Sequence, residues 1–496
     1  MKCFINRFDG GISNDIRDTD TAVGSLIAHF DILTKQFRLT PYKSTESGQD
    51  TASRKITDFV YVNSKLFGLG SPSSTATMYY KTTFNDGVWS TTANNVTTIA
   101  EAARIDGFLI YYKKTAKIYG CTGSTTVFGY DPTGVAAWVE QTVGSLTSGS
   151  CALVHSKDDI MYVGYTNKIA TNNNGSWNTT ALTLPSNFTI TSLSEYGNYL
   201  AIGCKSNDPL GSSSRVFLWD RDSSVSTLAE SIDWGLGSLQ VIEELEGRLV
   251  GISLVDNNLG GSLITDSRLS FKYYAGAQGA VEFKSLVSDA TAAITTLSTK
   301  KQKYNNRLYF LCDMLYTGDQ LSGVWSVGSS GPDRPLAVSF DRYANNGTAV
   351  TSLEGFYRIG NFMFIAYSGA GAISKSDDAT GVSAYTASSI YESQINPAMS
   401  LEHRHQKKQL KSVQVSYASD TMVSGAQVVL KFAADTAASV TVFTETTAAV
   451  AGTKRTHDAS GSQFTAGTEF RFRIESTGGV EITGLEYEYD LLPNQL

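Results

Sequence analysis

The sequence is poor in charge, proline and cysteine. Only 18% of the 496 residues are charged, with 9 prolines and 5 cysteines. Soluble domains usually have roughly 25% charged residues. A disordered chain would be rich in charge and poor in aromatic residues, so that class is excluded. A chain of this length can bury large cores, so it requires neither disulfides nor a structural metal to fold.

The cysteines are scattered singly along the chain, and no CxxC pair is present. A zinc site of the usual spacing is therefore not predicted. The odd number, and the place of several cysteines in strand-like apolar runs, indicate free thiols and synthesis in a reducing compartment. The residues are Cys3, Cys121, Cys151, Cys204 and Cys312.

Long apolar runs are also missing. No window of 18 apolar residues occurs, so no membrane-spanning helix is predicted. Residues 1–9 contain no apolar segment after the first charge, which is not typical of a signal peptide. The net charge of −7 provides no basic field for wrapping nucleic acid and mainly favours solubility.

Glycine and aromatic residues are abundant instead. The chain has 44 glycines and 11% aromatic residues, together with many serines, threonines and asparagines. This mixture is typical of strands joined by tight turns. Alanine, glutamate, lysine and leucine, which favour helices, do not dominate. We therefore predict an all-β protein.

A short pattern recurs along the first 370 residues: a turn residue, then four or five strand-forming residues, often ending in a small one. The first apolar residues of its copies are 66, 108, 160, 199, 249, 308 and 362, a mean spacing of about 49 with a range of 39 to 59. This is the size of a four-stranded propeller blade. We predict a β-propeller of about seven blades, with six to eight allowed, in which these runs are the inner strands beside the central channel.

A second repeated sequence pattern is shared by two predicted hairpins. Residues 83–92 and 171–180 share the pattern T-x-N-x-G-x-W-x-T-T, in which the tryptophans are Trp89 and Trp177. Asn and Gly supply a positive-φ turn, and Trp begins the next strand. The pattern resembles the Asp-box hairpin of sialidase-like propellers, one residue shorter between Gly and Trp. We interpret it as a structural turn, with glycan stacking on Trp89 and Trp177 as the alternative.

The pattern changes near residue 397. Strict alternation of apolar and polar residues follows, for example in residues 470–475 and 485–490, as expected for strands with one buried and one solvated face. We predict three segments: residues 1–50, contributing a ring-closing strand; residues 51–397, the β-propeller; and residues 398–496, an antiparallel β-sandwich.

No catalytic motif is present. The sequence lacks GxSxG, HExxH, a P-loop and a GxGxxG placed between a strand and a helix. His403 and His405 would share one face of an extended segment but have no obvious third metal ligand. The acidic pairs at residues 158–159 and 377–378 are interpreted as turn residues that bond their own backbone. We predict no catalytic residues, no metal and no cofactor.

The opening of the chain resembles tailed-bacteriophage virion proteins built as a β-propeller with an added β-domain. The resemblance rests on residues 8–15 (FDGGISND), then Phe30-Asp31-Ile32 and Leu39-Thr40-Pro41-Tyr42. It implies a non-enzymatic subunit of a tail nozzle or hub, made in the host cytoplasm and located in the virion tail. It also implies a homo-oligomeric ring, contacts with portal, adaptor or fibre-like tail proteins, transient passage of DNA and no membrane insertion.

Two other functions fit the same architecture. A receptor-recognition propeller would bind carbohydrate through aromatic residues such as Trp89 and Trp177. A glycoside-cleaving propeller would need two carboxylates across the substrate, and no pair among the acidic residues stands out.

Overall fold

The computed structural model is built almost entirely of strands. In the part of the chain that it describes, the only helical segments are two single 3₁₀ turns, Lys113–Thr115 and Leu401–His403. The described residues are 1–12, 23–28, 30–33, 38–42, 55–71, 75–84, 89–100, 107–121, 127–133, 139–140, 146, 149–208, 213–224, 228–256, 267–276, 279–289, 296–331, 334–345, 350, 352–367, 373–378, 388–418, 425–446, 454–458 and 464–493. Within these residues no helix could cross a membrane.

The chain forms two compact units and passes between them four times. One unit, here called the sandwich unit, contains residues 1–45, 325–347 and 377–496. The other, the propeller unit, contains residues 46–324 and 348–376. This division differs from the predicted boundaries, because the N-terminal segment and two later segments belong with the C-terminal strands.

The sandwich unit begins with five short strands. They are β1 (Lys2–Ile5), β2 (Gly11–Ile12), β3 (Val23–Ala28), β4 (Phe30–Asp31) and β5 (Thr40–Pro41).

The propeller unit then begins with three blades. They are β6 (Lys55–Val62), β7 (Lys65–Ser71), β8 (Thr75–Lys81) and β9 (Ser90–Ala100); β10 (Phe108–Tyr112), β11 (Lys117–Cys121), β12 (Phe128–Tyr130) and β13 (Val139–Glu140); and β14 (Gly149–His155), β15 (Ile160–Tyr165), β16 (Lys168–Asn173) and β17 (Ser176–Thr183).

Blades 4 to 6 follow. They are β18 (Phe188–Tyr196), β19 (Tyr199–Ser206), β20 (Ser214–Trp219) and β21 (Glu230–Gly235); β22 (Ser238–Leu245), β23 (Arg248–Asp256), β24 (Ser267–Tyr274) and β25 (Val281–Val287); and β26 (Thr296–Tyr304), β27 (Arg307–Tyr316) and β28 (Asp319–Gly328). The boundary between the two units falls inside β28.

The rest of the chain adds one blade and most of the sandwich. The sandwich strand β29 (Ala337–Tyr343) precedes blade 7, which consists of β30 (Leu353–Ile359), β31 (Phe362–Tyr367) and β32 (Ile373–Asp377). The remaining strands are β33 (Ser389–Ser393), β34 (Lys408–Ala418), β35 (Gln427–Ala434), β36 (Val440–Thr446), β37 (Lys454–Asp458), β38 (Phe470–Thr477) and β39 (Glu481–Leu491).

The first strands of the blades form a closed ring. Each of β6, β10, β14, β18, β22, β26 and β30 lies against the first strand of the next blade, and β30 lies against β6. Within each blade the strands pair in sequence order. The structure therefore confirms a β-propeller, with seven blades. Contact between β30 and β6 closes the ring, whereas the N-terminal strands that were expected to close it pair inside the sandwich unit.

The recurring apolar runs are not the innermost strands. Six of the seven copies are the second strand of their blade, and only the run at 107–112 is an innermost strand, β10. The second strand β27 is buried along most of its length, whereas the innermost strand β14 is mostly half-buried. The physical reason is that a second strand packs against a neighbouring blade on each face, while an innermost strand borders the axis.

The core of the propeller lies between adjacent blades. Tyr162 on β15 packs edge-on against Trp219 on β20, with ring centroids 5.9 Å apart. Phe67 on β7 makes the same kind of contact with Tyr130 on β12, also at 5.9 Å. Aromatic residues therefore join neighbouring blades.

The sandwich unit has two layers, in which the described strands pair antiparallel except for the parallel pairs β29–β3 and β2–β3. One sheet has the order β1-β39-β34-β37, and the other contains β29, β3, β33, β38, β35 and β36 in that order. The alternating strands β38 and β39 were predicted correctly, since their apolar residues are buried and their charged residues are more exposed. Phe472 of one sheet and Tyr487 of the other lie 4.7 Å apart between the layers.

A buried arginine ties several segments of the sandwich unit together. The side chain of Arg342 on β29 is fully buried, and its Nη2 donates to both carboxylate oxygens of Asp378, at 2.6 and 2.8 Å. The ring of Tyr42 covers its guanidinium at 4.3 Å, and the Tyr42 hydroxyl donates to Asp341 at 3.4 Å. Asp378, interpreted above as a turn residue, is therefore an ion-pair partner.

We predict that Asp378→Asn lowers the free energy of unfolding by about 3–5 kcal/mol, because it removes the carboxylate that pairs with a buried guanidinium and leaves Asp341 to balance that charge. Urea denaturation would measure this change. The control is Lys2→Gln, which removes the exposed ion pair with Glu486 and should cost less than about 1 kcal/mol. If both substitutions lowered the free energy of unfolding by the same small amount, the burial of Arg342 would not require its ion pair with Asp378.

Candidate functional site: the propeller axis

Six of the seven innermost strands carry a β-bulge in their first half, and β10 pairs with β11 without one. The register shifts between Ile56 and Asp58 on β6, and equivalent shifts occur on β14, β18, β22, β26 and β30. A bulge adds an unpaired residue and turns its side chain away from the regular pattern. The bulged residues include Thr57, Ser150, Thr191, Gln240 and Glu354.

Two of these bulges link neighbouring blades by hydrogen bonds. The Ser150 hydroxyl donates to the carbonyl oxygen of Ile190 at 2.9 Å, and the Thr191 hydroxyl donates to that of Leu239 at 2.7 Å. Each acceptor is the residue just before the bulge of the next blade. The side chain of one bulge therefore bonds to the backbone beside the bulge of the next blade.

The bulge in β26 is larger and carries two lysines. The register shifts between Leu297 and Lys301, so residues 298–300 lie opposite the single residue Leu311 and β26 has two extra residues. Adjacent residues of a regular strand point to opposite faces. Here Lys300 and Lys301 both reach residues on the innermost strands of other blades.

Lys300 joins blade 6 to blades 1 and 2. Its Nζ lies 3.1 Å from Oδ2 of Asp58 on β6 and also donates to the carbonyl oxygen of Gly107. The Asp58 carboxylate accepts two backbone N–H bonds as well, from Phe59 and from Leu109, each at 2.8 Å. The charge of Asp58 is thus neutralised by hydrogen bonds from three blades.

Lys301 joins blade 6 to blades 4 and 5. Its Nζ donates to Oε2 of Glu243 at 2.6 Å, to the carbonyl oxygen of Leu193 at 2.6 Å and to that of Ile242. An ammonium group has three N–H donors, so these bonds use all of them. The two lysine pairs leave no net charge at the axis.

A cavity of about 210 Å³ lies beside Lys301. Its lining comes from the innermost strands of six blades and includes Asp58, Ser150, Cys151, Ser192, Gln302 and Tyr357. The two charged residues among its lining, Asp58 and Lys301, are both paired as described. The cavity is large enough for several water molecules.

The cavity provides no activated nucleophile. Burial raises the pKa of the Cys151 thiol to about 11, so this thiol is protonated at neutral pH. Burial also raises the pKa of Tyr357. Chemically, the arrangement is suited to cross-linking blades and holding water, whereas nucleophilic catalysis would require a lowered pKa.

Trp89 and Trp177 do not offer faces for glycan stacking. Trp89 is 4% exposed and packs against Phe59 and Phe364, at 6.0 and 6.3 Å. Trp177 is half-buried, packs against Tyr119 at 5.9 Å and has a buried indole nitrogen. Both rings lie at the hairpin before the fourth strand and contact the second strand of the preceding blade. The structural interpretation of this repeat therefore fits the geometry, and the stacking alternative lacks an exposed surface.

The two hairpins can be compared only in part. In the second, Asn174 and Gly175 adopt positive φ angles, 52° and 90°. The asparagine of the shared pattern is Asn173, so only Gly175 matches the predicted positive-φ positions. In the first, residues 85–88 lie outside the described residues.

The other candidate residues have local partners. Asp158 accepts a hydrogen bond from the backbone N–H of Ile160 at 3.1 Å, as a turn residue does. His403 Nδ1 lies 3.1 Å from the Tyr489 hydroxyl, and the described residues contain no group of three metal-ligating side chains.

The axial lysines were missed in the sequence. Their signal is the segment Lys300-Lys301-Gln302-Lys303, in the second half of a strand that ends before the Asn305-Asn306 turn. Charged residues at three of four successive positions are unusual in a strand that is covered by neighbours.

Comparisons with known proteins return distant matches of fold only. No family model and no curated protein matches the chain. Solved structures with partial similarity include a catalytically inactive virginiamycin B lyase from Staphylococcus aureus with quinupristin, at 9% identity and a TM-score of 0.43, over 66% of this chain and 96% of that one. The Pan2 WD40 domain of Neurospora crassa matches at 9% identity and a TM-score of 0.39, over 69% and 97% of the two chains.

We predict that Lys300→Met lowers the free energy of unfolding by about 2–3 kcal/mol, because the half-buried Asp58 carboxylate loses a charged hydrogen-bond donor. Adding Asp58→Asn should recover part of this loss, since the double variant removes both charges. Urea denaturation of the native protein, of Lys300→Met, of Asp58→Asn and of the double variant gives the coupling free energy between the two side chains. The control is Lys303→Met, whose partner Glu244 is more exposed and whose cost should stay below about 1 kcal/mol. Strictly additive effects would contradict direct coupling of Lys300 and Asp58.

We also predict that Trp89→Ala costs about 3–5 kcal/mol of stability, as expected for removing a buried aromatic ring between two blades. Trp177→Ala should cost less, because that ring is half-buried. Thermal unfolding and a glycan array would be measured on the same proteins. A glycan that binds the native protein and is lost in a fully stable Trp89→Ala variant would restore the stacking alternative.

Proposed function

We propose that the chain is a structural subunit of a bacteriophage tail, of the nozzle or hub type, which assembles into a homo-oligomeric ring. The residues that carry the resemblance support this proposal, because they build the core of the sandwich unit. Phe8 and Phe30 are fully buried, and Leu39 forms a backbone bridge with Ile482. Tyr42 covers the buried Arg342. The residues of the motif therefore have a structural role in this chain. This agrees with a family whose proteins act through surfaces and assembly and not through a catalytic motif.

The observation that carries the proposal is the pair of open edges on one sheet of the sandwich unit. Among the described residues, β1 pairs only with β39, and β37 pairs only with β34. An open edge has unpaired N–H and C=O groups and is a template for another strand. Phe4 on β1 is also 50% exposed, next to a backbone that can accept a partner.

The direction of the edge strands suits head-to-tail assembly. Successive pairings in the order β1-β39-β34-β37 are all antiparallel, so β1 and β37 run in opposite directions. Addition of β37 from one copy to β1 of the next would continue the antiparallel sheet. A head-to-tail contact uses two different surfaces and generates a ring when the rotation between subunits closes.

In this proposal, DNA passes between subunits and not through a propeller. The axis of the propeller is occupied by the side chains of Lys300 and Lys301 and their partners. The chain acts through its surfaces in the virion tail, with portal, adaptor or fibre-like proteins as neighbours, and it carries out no catalysis. Carbohydrate binding through Trp89 or Trp177 is the less well supported alternative, because Trp89 is 4% exposed and Trp177 is half-buried.

The test is the oligomeric state of the purified chain, measured by light scattering after size exclusion across a range of concentrations. We expect a concentration-dependent oligomer that Phe4→Lys weakens at least tenfold, because a charge would be buried at the contact. Val281→Lys, at an exposed apolar position on the propeller strand β25, is the matched control and should assemble normally.

Two outcomes would count against the proposal. One is a chain that remains monomeric at all concentrations and also with a purified portal–tail complex. The other is electron microscopy of virions, from a phage that encodes the chain, in which no density fits the propeller and sandwich units.

A further inference from the structure

The turns at one end of blades 3 and 4 enclose a histidine that the axial site does not use. His155 ends β14 and is fully buried. Its Nε2 lies 2.6 Å from Nη1 of Arg221, which follows β20. A guanidinium group only donates hydrogen bonds, so this contact is attractive only when Nε2 carries no proton.

Two further contacts hold Arg221 in this position. Its Nε lies 2.8 Å from Oδ2 of Asp158, and Nη1 also donates to the carbonyl oxygen of Asn198 at 2.6 Å. The Tyr162 hydroxyl donates to the same Asp158 oxygen at 2.9 Å. The backbone of Arg221 has φ of +73°, a conformation that is costly for a residue with a side chain. The contacts therefore hold a strained loop in place.

Charges of both signs surround His155. Asp158 and Glu195 favour the protonated ring, and Arg221 opposes it. The net effect lowers the pKa of His155, and burial is the largest cause. The remaining charged groups of these turns bind other partners nearby: Lys114, Lys157, Asp159, Asp220 and Asp222.

We propose that His155 and Arg221 form an acid-released latch, which holds the loop after β20 against the turn between β14 and β15. The backbone N–H of Lys157 also approaches Nδ1 of His155, at 3.3 Å. A neutral ring accepts at one nitrogen only, and we assign this role to the shorter contact with a charged donor. In the latch, Nε2 therefore accepts from Arg221 and the ring proton is on Nδ1. Protonation of Nε2 places two positive charges and two N–H groups 2.6 Å apart, so the contact becomes repulsive. The strained backbone at Arg221 then relaxes, and the loop at residues 220–224 opens.

The direction of the pH dependence follows from the lowered pKa. An unfolded histidine titrates near pH ~6.5, and His155 titrates below this value in the folded state. Stability from the latch is therefore complete above about pH 6.5 and is lost as the pH falls toward the lowered pKa. The latch responds to mild acid, in the range where carboxylates are still ionised.

Hydrogen–deuterium exchange of the full chain between pH 7.5 and 5.0 tests the latch, with exchange times corrected for the chemical effect of pH on amides. We expect exchange of the segment 219–224 to rise by up to about tenfold per pH unit below pH 6.5. This is the limit when opening of the loop is coupled to the uptake of one proton. Exchange in β27 should not change, because opening is local.

Two variants separate the latch from a merely structural contact. In His155→Gln, the amide oxygen can still accept from Arg221 but does not titrate, so exchange of 219–224 should stay low at both pH values. In Arg221→Gln, exchange should be high and independent of pH. His403→Gln, in the sandwich unit, is the control and should behave like the native protein. The proposal is overturned if the native segment exchanges equally at both pH values, or if His155→Gln keeps the acid response.

Discussion

Two adjacent lysines lie at the axis of the propeller, and the inner ring of strands depends on how their charges are neutralised. Without the bulge in β26, Lys300 and Lys301 would point to opposite faces of the strand. With it, Lys300 reaches Asp58 and blade 2, while Lys301 reaches Glu243 and blade 4. Five blades are thus joined by two side chains. Buried ions of this kind are tolerated only when their partners are well placed, so the geometry of each blade is coupled to that of the others.

The same principle organises the sandwich unit around Arg342. Its guanidinium has Asp378 as its counter-charge and Tyr42 as an aromatic cover. These residues come from three segments of chain that are far apart in sequence. The propeller is therefore an insertion in the sequence of the sandwich unit, and folding of that unit requires segments that are hundreds of residues apart. Contacts of such long range are typical of slowly folding β proteins.

The function proposed above depends on contacts made by the protein surface and not on a reactive centre. Cys151, whose thiol pKa burial raises to about 11, lines a cavity whose charged residues are already paired. The exposed Phe4 on an open edge offers area for a neighbour instead. The latch at His155 and Arg221 lies in the propeller unit and is independent of this proposed assembly, because it uses none of the edge strands.

Composition and periodicity were sufficient for the fold class, the blade size and the alternating strands β38 and β39, because these depend on local patterns of burial. They led to a wrong prediction of which strand is innermost, because six of the seven apolar runs are the second strand of their blade. The run at 159–164 is strongly apolar because β15 is covered on both faces, whereas β14 borders the axis and carries Ser150 and Cys151. A single sequence records how deeply a residue is buried but not which neighbour covers it.

The sequence by itself thus determined an all-β chain with a propeller-sized repeat, since turns and strand-forming residues act over a few positions. Only the tertiary structure decided which segments form each unit, that Asp378 pairs with Arg342, and that Trp89 and Trp177 pack between blades. It also decided that Lys300 and Lys301 meet at the axis. The reason is physical: these outcomes depend on partners brought together across tens to hundreds of residues, and no local pattern specifies them.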